Sequence, residues 1–183
     1  VSILSLCDRK CSDVLVTDGW LPDNYTASIF REFVSGRYKV LVITAMPLSK
    51  GSAVLGGETD AELTKAAMVK MGADPNQIEA LSPLNVERDR TYAGALCVKR
   101  WLSANGIHPF GINVLSVGPH TRRTRLLYEK AFGSAVPIGA IALPNSDYDP
   151  KKWWRTSAGV RDVVGEWIAY LYARFVFAPT THG

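Results

Sequence analysis

The run Val40-Leu41-Val42-Ile43-Thr44 is aliphatic and β-branched, with no polar residue alternating through it. A strand with one wet face alternates; a strand without alternation is covered on both faces. Val14-Leu15-Val16-Thr17 and Ile112-Asn113-Val114-Leu115-Ser116-Val117 read the same way, Ile78 to Leu81 is a weaker strand, and Val136 to Leu143 is the last. Between them lie helical patterns: Ala27 to Ser35 before Gly36, about Glu58 to Met71 before Gly72, Thr91 to Asn105 before Gly106, and Thr121 to Phe132 before Gly133. Glycine after the last periodic residue is a common helix stop. Strand–helix alternation predicts an α/β fold: a three-layer, Rossmann-like domain with a mostly parallel sheet flanked by helices.

A chain of 183 residues fits one such domain, with residues 1–12 and 178–183 expected as peripheral tails. A final helix carries Val160, Val163, Val164, Trp167, Ile168, Leu171 and Phe175 at helical spacing, and these form its apolar face. Glu166 interrupts that face, and a carboxylate there requires a cation, from Arg155, Arg161 or a pocket arginine. No apolar run reaches the ~20 residues of a membrane span. Cys7, Cys11 and Cys97 form no Cys-x-x-Cys; Cys97 falls within a helix, and the other two read as unpaired thiols near a terminus.

Charge is concentrated. The chain carries a formal +4, yet from Glu87 to Lys130 eight basic residues stand against three acids. A focal excess without interleaved aromatics argues for a small anionic ligand and against nucleic acid. Arg88 and Arg90 precede Thr91, while His120, Arg122, Arg123 and Arg125 follow Gly118-Pro119. Both clusters sit where helices begin, at the positive end of the helix dipole, so cations there imply an anion between them. In an open α/β sheet, helices that follow strands begin at one rim, so the two clusters are expected to meet.

At the fourth helix, His120 and Arg123 extend the stripe of Thr124, Leu127 and Tyr128 toward that rim; either they contact ligand or they satisfy a neighbouring carboxylate. Arg125 has Glu129 four residues on, a sufficient structural partner. Asp89 or Thr91 is positioned to cap the third helix, and Arg90 rather than Arg88 is the better pocket candidate. Asp18, Gly19 and Trp20 follow the first strand; Gly19 permits a tight turn or a close approach, and Asp18 suits a ligand contact, a metal or a turn cap. Lys50 to Glu58 has the glycine spacing of a phosphate loop, but Gly57-Glu58 stands where Lys-Ser or Lys-Thr is required, which excludes a P-loop nucleotidase. Glu58 suits a helix start or a ligand's polar groups. Asp147, Asp149, Trp153 and Trp154 follow the last strand, as a lid or as packing for the final helix.

These residues resemble the ElyC/SanA/YdcF family of bacterial proteins. The resemblance runs through Gly19-Trp20-Leu21-Pro22-Asp23, Glu58, Arg88-Asp89-Arg90-Thr91-Tyr92-Ala93, Gly118-Pro119-His120 with Arg123, Tyr148-Asp149-Pro150, Trp153-Trp154-Arg155 and Gly165-Glu166. It implies a Rossmann-like domain with a pocket at the strand ends and a role in bacterial envelope or polysaccharide homeostasis, cytoplasmic or envelope-associated. One member looks like a binder of S-adenosylmethionine, and many carry an N-terminal membrane anchor that this chain does not show. Ala45-Met46 replaces the family's small glycines after the second strand. Two functions follow as expectations. One is binding of an anionic or zwitterionic small molecule by Gly19, Trp20, Glu58, Arg88, Arg90, Thr91, Gly118, Arg123 and Trp154. The other is an enzyme on a phosphorylated or lipid-linked sugar, with His120 as acid or base and Asp18 beside it. The first ranks ahead, because neither a nucleophile nor a metal set is evident.

Overall fold

The computed structural model describes residues 6–45, 59–83, 86 and 88–179. Five parallel strands, β1 (Val14–Asp18), β2 (Val40–Thr44), β3 (Ile78–Leu81), β4 (Ile112–Val117) and β5 (Ile138–Leu143), lie in the order β3-β2-β1-β4-β5. β1, β2 and β4 are buried along their whole length, as runs without alternation require. The last strand begins two residues later than its apolar pattern suggests: Pro137 has no N–H for a ladder.

Alternate side chains of each strand enter separate cores. Leu15, Leu41, Ile43, Leu115 and Val117 pack against Ile29 and Phe33 of α1 (Thr26–Ser35) and Met68 of α2 (Asp60–Lys70). Val14, Val16, Val40, Val42 and Val114 meet Val98 and Leu102 of α3 (Arg90–Ala104), and Tyr128 and Phe132 of α4 (His120–Phe132). The three-layer α/β architecture is therefore present.

α2 starts at Asp60 rather than Glu58, because Thr59 and Glu62 form a capping box: the Thr59 hydroxyl accepts from the Glu62 amide, and the Glu62 carboxylate accepts from Thr59 N–H. Residues 6–12, expected as a peripheral tail, run against the sheet. Asp8 bridges Ala140, and the buried Asn113 side chain holds both backbone groups of Lys10. Asn113 also donates to the Tyr38 hydroxyl, whose pKa burial pushes up to about 12.

α5 (Ser157–Leu171) continues through a π-helical turn, Tyr172–Val176, and belongs to neither core. It lies across α4, with Ala173 on Leu126 and Leu127, and Phe177 edge-on to Tyr92. Its apolar stripe is turned away from the domain. Val160, Val164, Trp167, Ile168, Leu171 and Phe175 are all exposed, and only Val163 of the expected set is buried. Trp153 and Trp154 form a 3-10 turn at the start of α5, edge to face with each other. Among the described residues, no helix is long and apolar enough to cross a membrane.

Candidate functional site at the β1–β4 edge

The strand order reverses between β1 and β4, because the chain passes from β3 back across the sheet to β4. Parallel sheets of this kind open a crevice beyond the strand ends at such a point. Here a cavity of about 700 Å³ occupies it, lined by Asp18 and Trp20 at the end of β1, Thr44 and Ala45 at the end of β2, Asp60 of α2, and Asp89, Arg90 and Thr91 at the start of α3. His120 and Arg123 of α4 and Glu166 of α5 close the wall, with Ala169, Tyr172 and Phe177 beyond them. Arg90 and Arg123, 33 positions apart in sequence, thus meet at one cavity, as the topology predicts.

Local backbone explains the convergence. Gly19 lies so close to α2 that a Cβ there would stand 2.9 Å from the Ala61 backbone. Its close approach serves helix packing, which swings Trp20 over the cavity. Gly118 turns β4 into α4 with φ of +51°, a conformation disfavoured for other residues. His120 then opens α4 beside Asp18, with the imidazole Nε2 3.7 Å from the carboxylate.

Arg123 is not a free cation. Its Nε donates to Glu166 Oε2 at 2.8 Å and its Nη2 to Oε1 at 2.9 Å, a bidentate pair. Of the two alternatives open for Arg123, the neighbouring carboxylate is realised: Glu166 faces inward, opposite the exposed apolar stripe, and takes this pocket arginine as the cation it requires. Burial opposes both charges, but the pairing prevails. Glu166 is held down to about 2 by Arg123 and His120, and Arg123 is raised above the usual guanidinium value by Glu166 and Asp18.

The same carboxylate reaches His120. His120 Nδ1 lies 2.9 Å from Glu166 Oε1 and 2.8 Å from Arg123 Nη2. The carboxylate favours a proton on Nδ1 and the guanidinium favours a lone pair there, so the ring is held between an acceptor and a donor. Nε2 is buried and has no hydrogen-bond partner among the described residues. Asp18 accepts from Ser116 at 2.7 Å, and the Trp20 ring meets His120 edge-on at 5.3 Å. Arg123 Nη1 also donates to Thr91 at 3.4 Å, tying α4 to α3.

With Arg123 matched to Glu166, the described lining retains Asp18, Asp60 and Asp89 against Arg90 alone. The site is acidic because Asp18, Asp60 and Glu166 join it from outside the basic 87–130 window, which supplies Asp89, Arg90, His120 and Arg123. Arg88 is exposed and, with Gly19, Gly118 and Trp154, does not line the cavity; Arg125 pairs with Glu129 and with Asp8. Asp89 occupies the N-cap of α3 in a left-handed conformation (φ 51°) without a side-chain cap bond. Asp60 is the acidic lining residue that the sequence pattern did not single out; the Thr59–Glu62 box, which fixes the helix start beside it, was the available signal. Asp147 and Tyr148 line a second cavity, of about 430 Å³, that shares Trp20, His120 and Glu166 with the first. Glu58, Met46 and the glycine loop lie outside the described residues. Among the described residues, no group of three or more His, Cys, Asp or Glu side chains is arranged to hold a metal ion. No family model matches this chain, and none of the curated proteins compared with it does.

Proposed function

We propose that this domain binds a zwitterionic small molecule at the β1–β4 edge, its cationic group among Asp18, Asp60 and Asp89 and its anionic group toward Arg90. One observation carries the reading: a ligand-sized cavity at the switch point whose acids outnumber the one guanidinium left without a carboxylate partner among the described residues. A simple anion suits that lining poorly. S-adenosylmethionine suits it better, having a carboxylate for Arg90 and ammonium and sulfonium charges for the acids. The resemblance to the ElyC/SanA/YdcF family would place such binding in envelope or polysaccharide homeostasis.

Thermal unfolding with S-adenosylmethionine, S-adenosylhomocysteine, inorganic phosphate and a sugar phosphate tests this. A ligand at a hundred times its Kd stabilises by about 2.7 kcal/mol, or roughly 5–10 °C for a chain of this size. The expected order puts S-adenosylmethionine above S-adenosylhomocysteine, which keeps the ammonium and carboxylate but lacks the sulfonium charge, with Asp18→Asn abolishing the difference. Stabilisation by phosphate alone, sensitive to Arg90→Ala and indifferent to Asp18→Asn, would replace the zwitterion with an anion site.

A second reading, a hydrolase or transferase on a phosphorylated or lipid-linked sugar, draws on His120. Its imidazole is held in the wall of the cavity between Glu166 and Arg123, and its buried Nε2 has no hydrogen-bond partner among the described residues, a placement that suits a general acid or base. Turnover of a bound ligand, lost in His120→Asn while binding persists, would select it.

A further inference from the structure

α5 is arranged inside out. A helix on a soluble domain turns its apolar stripe inward and its charges outward. Here Glu166 and Asp162 face the domain, one bound to Arg123 and His120, the other accepting from Tyr148 and Asn145. The outward side carries Val160, Val164, Trp167, Ile168, Leu171, Tyr172, Phe175 and Val176, each at least 40% exposed, and Phe175 reaches 78%. Scattered exposed apolar residues are ordinary, but a contiguous run along five turns of helix marks an interaction surface.

The charges around the stripe choose its occupant. From residue 151 to residue 176 every exposed charged side chain is basic: Lys151, Lys152, Arg155, Arg161 and Arg174. Aromatic and aliphatic side chains rimmed by Lys and Arg match the boundary between acyl chains and anionic headgroups. A second copy of the same face would bring the same positive rim against itself, which disfavours self-pairing. We infer that the outer face of α5 seats this domain on an anionic lipid bilayer, lying in the interface without crossing it. This inference is independent of the pocket reading, although Ala169, Tyr172 and Ala173 of the same segment line the cavity. A seated α5 would hold that cavity about one helix diameter, ~10 Å, from the headgroups.

Flotation of the purified chain with vesicles tests it, using phosphatidylcholine alone and phosphatidylcholine with 30 mol% phosphatidylglycerol (on the order of physiological anionic content). The expected result is partitioning onto the anionic vesicles, weakened at least tenfold by Ile168→Glu combined with Phe175→Glu. Lys152→Glu with Arg174→Glu, or high salt, should remove the preference for anionic lipid. All four positions are exposed, so the variants should keep the wild-type circular dichroism and Tm. Failure of the wild type to float with anionic vesicles overturns the inference. So does binding that the α5 variants leave intact. Sedimentation equilibrium showing a dimer that Ile168→Glu dissolves would assign the face to self-association instead. Ligand stabilisation of these variants, measured separately, distinguishes failure of this surface from failure of the pocket.

Discussion

Glu166 accepts from two guanidinium nitrogens of Arg123 and lies within hydrogen-bond distance of the His120 imidazole. Replacing it by Gln keeps the shape, removes the charge, and leaves the part-buried Arg123 without its bidentate carboxylate. Urea unfolding at pH 7 should show Glu166→Gln destabilised by about 2–3 kcal/mol. Asn113 offers a neutral counterpart. It satisfies both backbone groups of Lys10 and the Tyr38 hydroxyl, and Asn113→Ala should cost about 1–3 kcal/mol while raising amide exchange in residues 6–12. The need for a cation at Glu166 was legible in sequence, since a carboxylate among apolar residues is costly alone. Which cation answers was not: Arg123 lies 43 positions away, on another helix.

Among the elements, the strands were the most legible, because β-branched runs without alternation admit one environment. Most boundaries of strands and helices moved by at most a single residue, and the two-residue shifts came where a proline removed a donor from β5 and where a capping box set the start of α2. Two substitutions test those local causes. Thr59→Ala should lower stability by about 1 kcal/mol by opening the α2 capping box. Gly19→Ala should cost more, about 1–3 kcal/mol, since the new methyl meets the Ala61 backbone and α2 must retreat from the cavity edge. α5 shows the limit of periodicity. Its pattern identifies an amphipathic helix but not which side faces the domain, and the Glu166 contact decides that.

For the molecule as a whole, stability should fall on acidification for an identifiable reason. The Glu166 carboxyl titrates near 2 in the folded state and near its ordinary value, about 4.3, when unfolded. Its contribution, on the order of 3 kcal/mol, is therefore complete above about pH 5 and lost as pH falls toward 2. Measured as Tm against pH, this acid limb should be shallower in Glu166→Gln than in the wild type. The sequence by itself determined the parallel sheet, the flanking helices and the rim on which Asp18, Arg90, His120 and Arg123 gather. Those follow from short-range patterning and the handedness of strand–helix–strand connections. The sign of the site was decided only by tertiary structure. Coulomb interactions depend on distance in space, and the fold brings Glu166 onto Arg123 while setting Asp18 and Asp60 beside Asp89, so acids from distant parts of the chain outweigh the basic stretch at the cavity.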